Sequence, residues 1–147
     1  MSASDFTVLN VAKPQILNLS EKLSSDTFAI ALVSPTPAFS ATYTGSSGSA
    51  RYSDISASEV TGTGYTAGGA NTTVTVSGNA TVTVGCTGAS WTTATITACY
   101  AVVYDRTDAN QQILGYVALD PDGGTANVSS TAGTFSVSFA SGLFSLA

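Results

Sequence analysis

The stretch Asn71-Thr-Thr-Val-Thr-Val-Ser-Gly-Asn-Ala-Thr-Val-Thr-Val84 decides the fold class of this chain. Valine alternates with threonine or serine on both sides of a central glycine, and most positions are β-branched. Such alternation is typical of a strand that buries one face and exposes the other. The stretch therefore predicts two paired strands with a tight connection between them.

The register of this hairpin follows from the face that its valines share. A two-residue turn at Gly78-Asn79 would scatter the apolar side chains over both faces. A three-residue loop centred on Gly78 instead pairs Val76 with Ala80 and Val74 with Val82, which gathers the apolar side chains on one face. We predict this three-residue loop, with Asn79 in the left-handed conformation that such loops need.

Composition favours one β-rich domain with a weakly charged surface. The chain has 147 residues, of which 44% are hydrophobic and only 9% are charged, against about 25% in an average domain. This length suffices for a stable core, and so little charge argues against disorder. The net charge of −5 comes without a basic patch, so nucleic-acid binding has no electrostatic support. A surface with few charges favours association with partners.

The chain shows no targeting or membrane signal. Its first residues, Met1 to Phe6, lack the basic region and apolar run of a signal peptide. Its apolar runs are far shorter than the roughly 20 residues of a membrane-spanning helix. We therefore expect synthesis in a cytoplasm and no membrane contact. In that setting Cys86 and Cys99 are expected to be buried free thiols, and a zinc site would lack histidine ligands.

Periodicity outside the hairpin predicts one short helix. Ile16, Leu19 and Leu23 fall on one stripe of a helix that begins at Lys13 and ends at Leu23. Pro14 suits the first turn of such a helix, where its missing N–H group is no loss. The alternative is an extended arm.

A series of strands follows the helix. Thr27 to Val33 is apolar on both faces, so it should lie centrally or beneath the helix. Ala38 to Tyr52 reads as a weak, interrupted strand, and Ala94 to Asp105 as the longest strand, forming a central hairpin with Gln112 to Leu119. Thr134 to Phe139 alternates as a half-buried strand. With Trp91 as a core anchor, these eight to ten strands predict an all-β fold: a β-sandwich, or a jelly-roll or Ig-like barrel, with one short N-terminal helix.

No residue pattern in the sequence indicates a catalytic, cofactor-binding or metal-binding site. We therefore expect that the protein is not an enzyme and binds no cofactor. The chain has no histidine, which excludes nucleophile–base pairs built on it. Asp105 and Asp108 lie at one end of the predicted central hairpin and Asp120 and Asp122 at the other, so we interpret them as separate, solvated turn acids. A calcium site in the turn from Asp120 would have too few ligands from one loop.

Glycines and tyrosines make up the remaining motifs. The segment Gly62-Thr-Gly-Tyr-Thr-Ala-Gly-Gly69 suits turns, bulges or close backbone approach, and it lacks the lysine of a phosphate loop. The tyrosines are interpreted as core or interface packing, with an aromatic platform for carbohydrate as the alternative: Tyr43, Tyr52, Tyr65, Tyr100, Tyr104 and Tyr116.

The order of these features resembles a family of small all-β virion proteins of tailed bacteriophages. Such proteins have a short amphipathic helix, a buried strand, a glycine motif, an isolated tryptophan, an aromatic strand ending in aspartate and a glycine-rich turn. The corresponding segments here are Lys13–Leu23, Asp26–Leu32, Val60–Gly69, Trp91–Ala98, Tyr100–Asp105 and Asp120–Gly124. The resemblance covers roughly residues 13 to 140.

The resemblance implies a structural role in the virion. The expected function is capsid decoration, in which a cement protein binds the major capsid protein and copies of itself, as a trimer or another homo-oligomer, on the capsid surface. Residues 1–12 would then form an N-terminal arm, residues 13–140 the β-sandwich domain and residues 141–147 a C-terminal tail. The alternatives are a structural station in the neck, tail or fibre base, and a carbohydrate-binding module for host attachment.

Overall fold

The computed structural model describes residues 6–17, 22–122 and 124–147, and this part of the chain is mostly β. Its strands are short, and all the strand pairs among them are antiparallel. The strands are β1 (Thr7–Val8), β2 (Phe28–Val33), β3 (Ala70–Thr72), β4 (Val74–Ser77), β5 (Val82–Cys86), β6 (Ala89–Ala98), β7 (Tyr100–Asp105), β8 (Ile113–Ala118), β9 (Val128–Val137) and β10 (Phe144–Leu146). The helices are α1 (Lys13–Leu17) and α2 (Tyr52–Ile55), and a 3₁₀ turn spans Ser56–Ser58.

A five-stranded sheet carries the most deeply buried part of the chain. Its strand order is β1-β8-β7-β2-β3, so β2 lies between two neighbours, and every residue of β2 and β7 is buried. The prediction of a central strand near Thr27 to Val33 is confirmed, because a strand that is apolar on both faces is stable only where both faces are covered. The predicted β7–β8 hairpin is confirmed as well, with Tyr100 opposite Ala118 and Val102 opposite Tyr116.

Two smaller sheets complete one continuous core. A three-stranded sheet has the order β10-β5-β4, and β6 pairs with β9 in a two-stranded sheet. Val84 from the first, and Trp91 and Phe135 from the second, are at most 6% exposed and join the cluster that contains β2 and β7. The prediction of Trp91 as a core anchor is confirmed. The strand predicted from Thr134 to Phe139 is confirmed in part, because Phe135 and Val137 face inward but β9 ends at Val137 and the half-buried Phe139 lies beyond it.

The long strand predicted from Ala94 to Asp105 is wrong, because the chain changes sheets within it. Strand β6 ends at Ala98 in the two-stranded sheet, and β7 begins at Tyr100 in the five-stranded sheet. At the corner, the N–H group of Cys99 donates to the Val33 carbonyl, and the Cys99 carbonyl accepts from Leu119, both at 2.9 Å. Exposed threonines alternate through β6 whereas β7 is wholly buried, so the two halves need different surroundings.

The hairpin register predicted for Asn71–Val84 is also wrong. Val76 lies opposite Val84 rather than Ala80, and Val74 lies opposite Cys86 rather than Val82. Each partner lies four residues further along the chain, and an even shift keeps every side chain on the same face, so the shared face could not select the register. The left-handed residue is Gly78 (φ +99°), where a Cβ atom would lie 2.1 Å from the Thr81 carbonyl oxygen.

The N-terminal half differs from the sequence-based expectation in two further places. Helix α1 begins at Lys13 as predicted, but Leu23 lies in a turn, and Leu19 lies outside the described residues. The weak strand predicted for residues 38–52 is wrong, because that segment forms turns and loops that lead into α2, which the sequence analysis did not find. None of the helices in the described ranges is long and apolar enough to span a bilayer.

Candidate interaction surface

The three-stranded sheet has one apolar face that is only partly covered. Directly opposed residues share a face, so Val76, Val84 and Phe144 form one row across β4, β5 and β10. Val84 is 2% exposed and belongs to the core, whereas Val76 is 46% exposed. Leu146, opposite Val82 on the same face, is 52% exposed. The apolar face therefore begins in the core and continues onto the surface.

A groove between helix α1 and strand β10 extends this apolar surface. Leu17 at the end of α1 is 72% exposed, and it lies on the same groove as Leu146. The groove has a volume of about 300 Å³, and Lys13 is the one charged side chain among the described residues that line it. Val76, Leu146 and this groove together are called the terminal patch below. The groove residues are Val8, Lys13, Ile16, Leu17, Phe144, Ser145 and Leu146.

The described parts of the two chain ends hold this patch in place. Strand β1 pairs with β8, and the fully buried Leu9 follows it. Near the other end, Leu143 is 4% exposed and its N–H group donates to the Val84 carbonyl at 2.7 Å. Strand β10 then adds to β5 and forms an outer strand of its sheet. From residue 6 onward, the segments near both ends thus lie on the chain's own body, and an outer strand with apolar side chains is suited to pairing with another chain.

The glycine-rich segment, by contrast, is tied into the body by Glu59. The Glu59 carboxylate accepts the hydroxyl of Tyr52 at 2.5 Å, the hydroxyl of Tyr65 at 2.5 Å and the N–H group of Gly68 at 2.8 Å. The Gly68 carbonyl accepts from Tyr104 at 2.8 Å and from the guanidinium of Arg106. Each of these polar groups has a partner within the chain, so the cluster organises the loop rather than offering a site for a ligand.

The same segment completes the open edge of strand β2. Beyond the end of β3, the N–H group of Leu32 donates to the Tyr65 hydroxyl at 2.9 Å, and the Leu32 carbonyl accepts from Val60 at 3.0 Å. Gly69 (φ +69°) passes so close to the strand that a Cβ atom would lie 1.9 Å from the Ile30 carbonyl oxygen. The prediction of close backbone approach at this motif is confirmed, because only glycine fits such a position.

The tyrosines pack on one another and do not form an exposed platform. All six are buried or half-buried. Tyr52 stacks on Tyr104 with ring centres 4.7 Å apart, and Phe39 contacts Tyr43, Tyr100 and Tyr116. Burial, followed by the hydrogen bond to Glu59, raises the pKa of Tyr52. These contacts are those of packing residues.

The four predicted turn acids differ from one another in their surroundings. Asp122 is exposed, and Asp120 accepts the N–H groups of Asp122 at 3.1 Å and Ala126 at 3.3 Å, as expected for a turn. Asp105 was wrongly predicted to be solvated, since it is fully buried and the half-buried Asp108 follows it in the β7–β8 loop. No signal in the sequence indicated this burial, because the turn residues that follow Asp105 suggested an exposed position.

The remaining chemistry of the described residues is sparse. Cys86 and Cys99 are free thiols, half-buried and buried respectively. The hydroxyl of Thr72 lies 3.0 Å from the Cys86 sulfur, and burial raises the pKa of Cys99. Within the described residues, no group of three or more acidic or cysteine side chains could hold a metal ion. Comparisons with protein-family models, curated proteins and solved structures gave no match for this chain.

Proposed function

We propose that this protein is a non-enzymatic structural protein of a phage virion, which decorates the capsid and stabilises the shell by bridging capsid subunits. The observation that carries the proposal is the terminal patch, where Leu17, Val76 and Leu146 remain exposed on a weakly charged body. Exposed apolar surface of this kind, with polar residues around it, marks a surface that a partner covers.

The patch suits a contact between copies of the chain. Strand β10 is an outer strand of its sheet in the described part of the chain, and its side chains offer apolar area. A stable interface needs roughly 1,000 Å² or more, so the patch would act together with neighbouring surface in a trimer or other homo-oligomer. The assembled protein would then bind the major capsid protein across subunit junctions and oppose internal pressure.

The finer architecture belongs to the same proposal. Antiparallel sheets that share one core are compatible with a β-sandwich, and the corner at Cys99 is the kind of bend by which a strand passes from one sheet to another.

The test combines purified protein with capsids that lack it, with co-sedimentation and capsid melting as the measurements. The wild-type chain should co-sediment and raise the melting temperature of the shell. Leu17→Asp and Leu146→Asp should each weaken self-association about tenfold or more, because a buried, unpaired carboxylate is costly. Thr75→Asp is the matched control, since Thr75 is exposed on the opposite face of the same sheet. Absence of binding to the shell would refute the proposal.

Two alternative functions have their own discriminating results. A neck, tail or fibre-base station would give labelling of the particle only at that position in electron micrographs. A carbohydrate-binding module would bind glycans on an array and lose that binding on a tyrosine-to-alanine change. The packing of the tyrosines against one another supports capsid decoration over this last alternative.

A further inference from the structure

Asp26 and Asp105 form a carboxyl pair where β2 begins and β7 ends. The N–H group of Arg106 donates to the Thr27 carbonyl at 2.8 Å, and the Thr27 N–H group donates to the Thr107 hydroxyl at 2.7 Å. These two bonds hold the residues after Asp105 against the residue after Asp26. The two carboxyl groups are therefore neighbours, and Asp26 raises the pKa of Asp105 through a side-chain hydrogen bond and through its charge.

The two oxygens of Asp105 have unequal surroundings. Its Oδ1 atom accepts the N–H groups of Thr107 at 2.7 Å and Asp108 at 3.1 Å. Its Oδ2 atom is buried and has no hydrogen-bond donor, although the whole residue is 0% exposed. A buried carboxylate oxygen without a donor is unfavourable, and a second carboxyl group beside it adds repulsion. Both costs disappear when one of the two groups carries a proton.

We propose that Asp26 and Asp105 share one proton, and that this proton latches the segment before β2 to the β7–β8 loop. An O–H group on one carboxyl donates to the other, which satisfies the orphaned Oδ2 atom. A proton fits this place because Oδ2 is inaccessible, whereas Asp26 lines an open polar recess through which the proton can exchange with water. The latch is independent of the proposed virion function.

The neighbouring charged groups leave the pair intact. Arg106 directs its guanidinium to the Gly68 carbonyl, the Tyr104 hydroxyl and the Asn71 amide oxygen. Lys22 meets Asp26 through its main-chain N–H group, at 3.1 Å. Asp108 contributes its N–H group to Asp105 Oδ1. Among the described residues, the charged neighbours in these contacts are Lys22, Arg106 and Asp108. Lys22 and Asp108 contact the pair through main-chain N–H groups, and the Arg106 guanidinium is bonded elsewhere.

The pH dependence follows from the direction of the shift. Burial raises the pKa of Asp105, and the hydrogen bond and charge of Asp26 raise it further, against the opposing effect of the two N–H bonds. In the unfolded chain, an aspartate titrates near its unperturbed pKa of about 3.9. The native chain therefore keeps the proton of Asp105 to higher pH than the unfolded chain does. The stabilisation by the latch is complete below about pH 4 and is lost as the pH rises through the pKa of Asp105 in the folded state.

The test is urea unfolding of the full chain between about pH 4 and pH 9, for wild type, Asp105→Asn and Asp26→Asn. Between the pKa of Asp105 in the unfolded chain and its higher pKa in the folded chain, the unfolding constant of the wild type should rise by up to about tenfold per pH unit relative to Asp105→Asn. The amide side chain that this variant introduces can keep the two N–H bonds and donate to Asp26, so the variant should be more stable than wild type at pH 8. Parallel pH profiles would overturn the proposal.

Two further measurements keep the test decisive. The infrared carbonyl band of a protonated carboxylic acid should persist in native wild type to higher pH than in the unfolded chain, and it should be lost in Asp105→Asn. Absence of that band in the wild type would refute the shared proton even if a variant failed to fold. If calcium chloride stabilised the wild type at pH 8 but not Asp105→Asn, the pair would be a cation-binding site instead. That result would overturn the proposed latch.

Discussion

Replacement of Tyr65 by phenylalanine should destabilise the protein more than replacement of Tyr52, although both hydroxyls donate to Glu59. Each phenol–carboxylate bond is 2.5 Å long. Only the Tyr65 hydroxyl also accepts the N–H group of Leu32, at 2.9 Å, on a residue that is 0% exposed. The two variants therefore differ in the backbone donor that they affect. Tyr65→Phe removes the acceptor of the buried Leu32 N–H group, whereas the Gly68 N–H group beside Tyr52 keeps Glu59 as its acceptor.

The expected magnitudes follow from these contacts. Tyr52→Phe removes one hydrogen bond between half-buried groups that water can reach, and should cost about 1 kcal/mol. Tyr65→Phe adds the orphaned N–H group of Leu32, worth about 1–3 kcal/mol, for a total of about 2–4 kcal/mol. At about 3 °C per kcal/mol for a chain of this size, the melting temperature should fall about 3 °C in the first variant and about 6–12 °C in the second.

Urea unfolding followed by the fluorescence of Trp91 provides the assay. Trp91 is the only tryptophan and is 6% exposed, and its ring centre lies 5.6 Å from that of Tyr65. Hydrogen exchange supplies a local readout, since the Leu32 amide should exchange faster in Tyr65→Phe and remain protected in Tyr52→Phe. Equal losses of stability in the two variants, or unchanged protection of Leu32, would refute the assignment of Tyr65 as the cap of this strand edge.

Three further predictions concern the backbone, the thiols and the surface. Gly69→Ala should lower the free energy of unfolding by about 3 kcal/mol or more, because its Cβ atom would meet the Ile30 carbonyl. Gly48→Ala is the control, since Gly48 has the same left-handed backbone but open space around it, and it should cost about 1–2 kcal/mol. Equal costs in the two variants would contradict the steric argument. A thiol-reactive aromatic disulfide should label Cys86 before Cys99 in the native protein, since burial raises the pKa of Cys99; mass spectrometry of the labelled peptides decides the order. Self-association through an apolar patch should persist when sodium chloride rises from about 0.1 M to about 1 M, which shortens the Debye length from about 10 Å to about 3 Å; dissociation by salt in sedimentation experiments would indicate an ion-paired interface instead.

The sequence predicted those elements whose own residue pattern indicates which faces are buried. Strand β2 is apolar at every position, and the alternation around Phe135 assigns an inner and an outer face. It could not predict the register of β4 and β5, because a shift of four residues keeps the same faces. A contact from a distant segment accompanies that register, since Phe144 lies opposite Val84. Within the hairpin, the N–H group of Thr87 donates to the Thr73 carbonyl at 3.0 Å.

The polar clusters were equally beyond a reading of the sequence, since their members are far apart in the chain. Asp26 and Asp105 meet only because β2 and β7 are neighbours in one sheet. Tyr65 reaches Leu32 only because the glycine-rich segment folds back along the edge of β2. Composition and turn residues describe local preferences, whereas these contacts depend on the order of strands in the sheet.

The few charged side chains of this protein serve mainly to organise its loops. Glu59 fastens the glycine-rich segment, Arg106 holds the Gly68 carbonyl, and Asp54 accepts N–H groups from Arg51 at 2.9 Å and Ser46 at 3.2 Å. These hydrogen bonds hold the charged groups against the body, and the chain keeps its net charge of −5. The body therefore meets its surroundings mostly through hydroxyl groups and, at the terminal patch, through leucine and valine. Because hydroxyl and alkyl groups cost less to desolvate than ionised groups do, the low charge of the sequence is consistent with the proposed assembly.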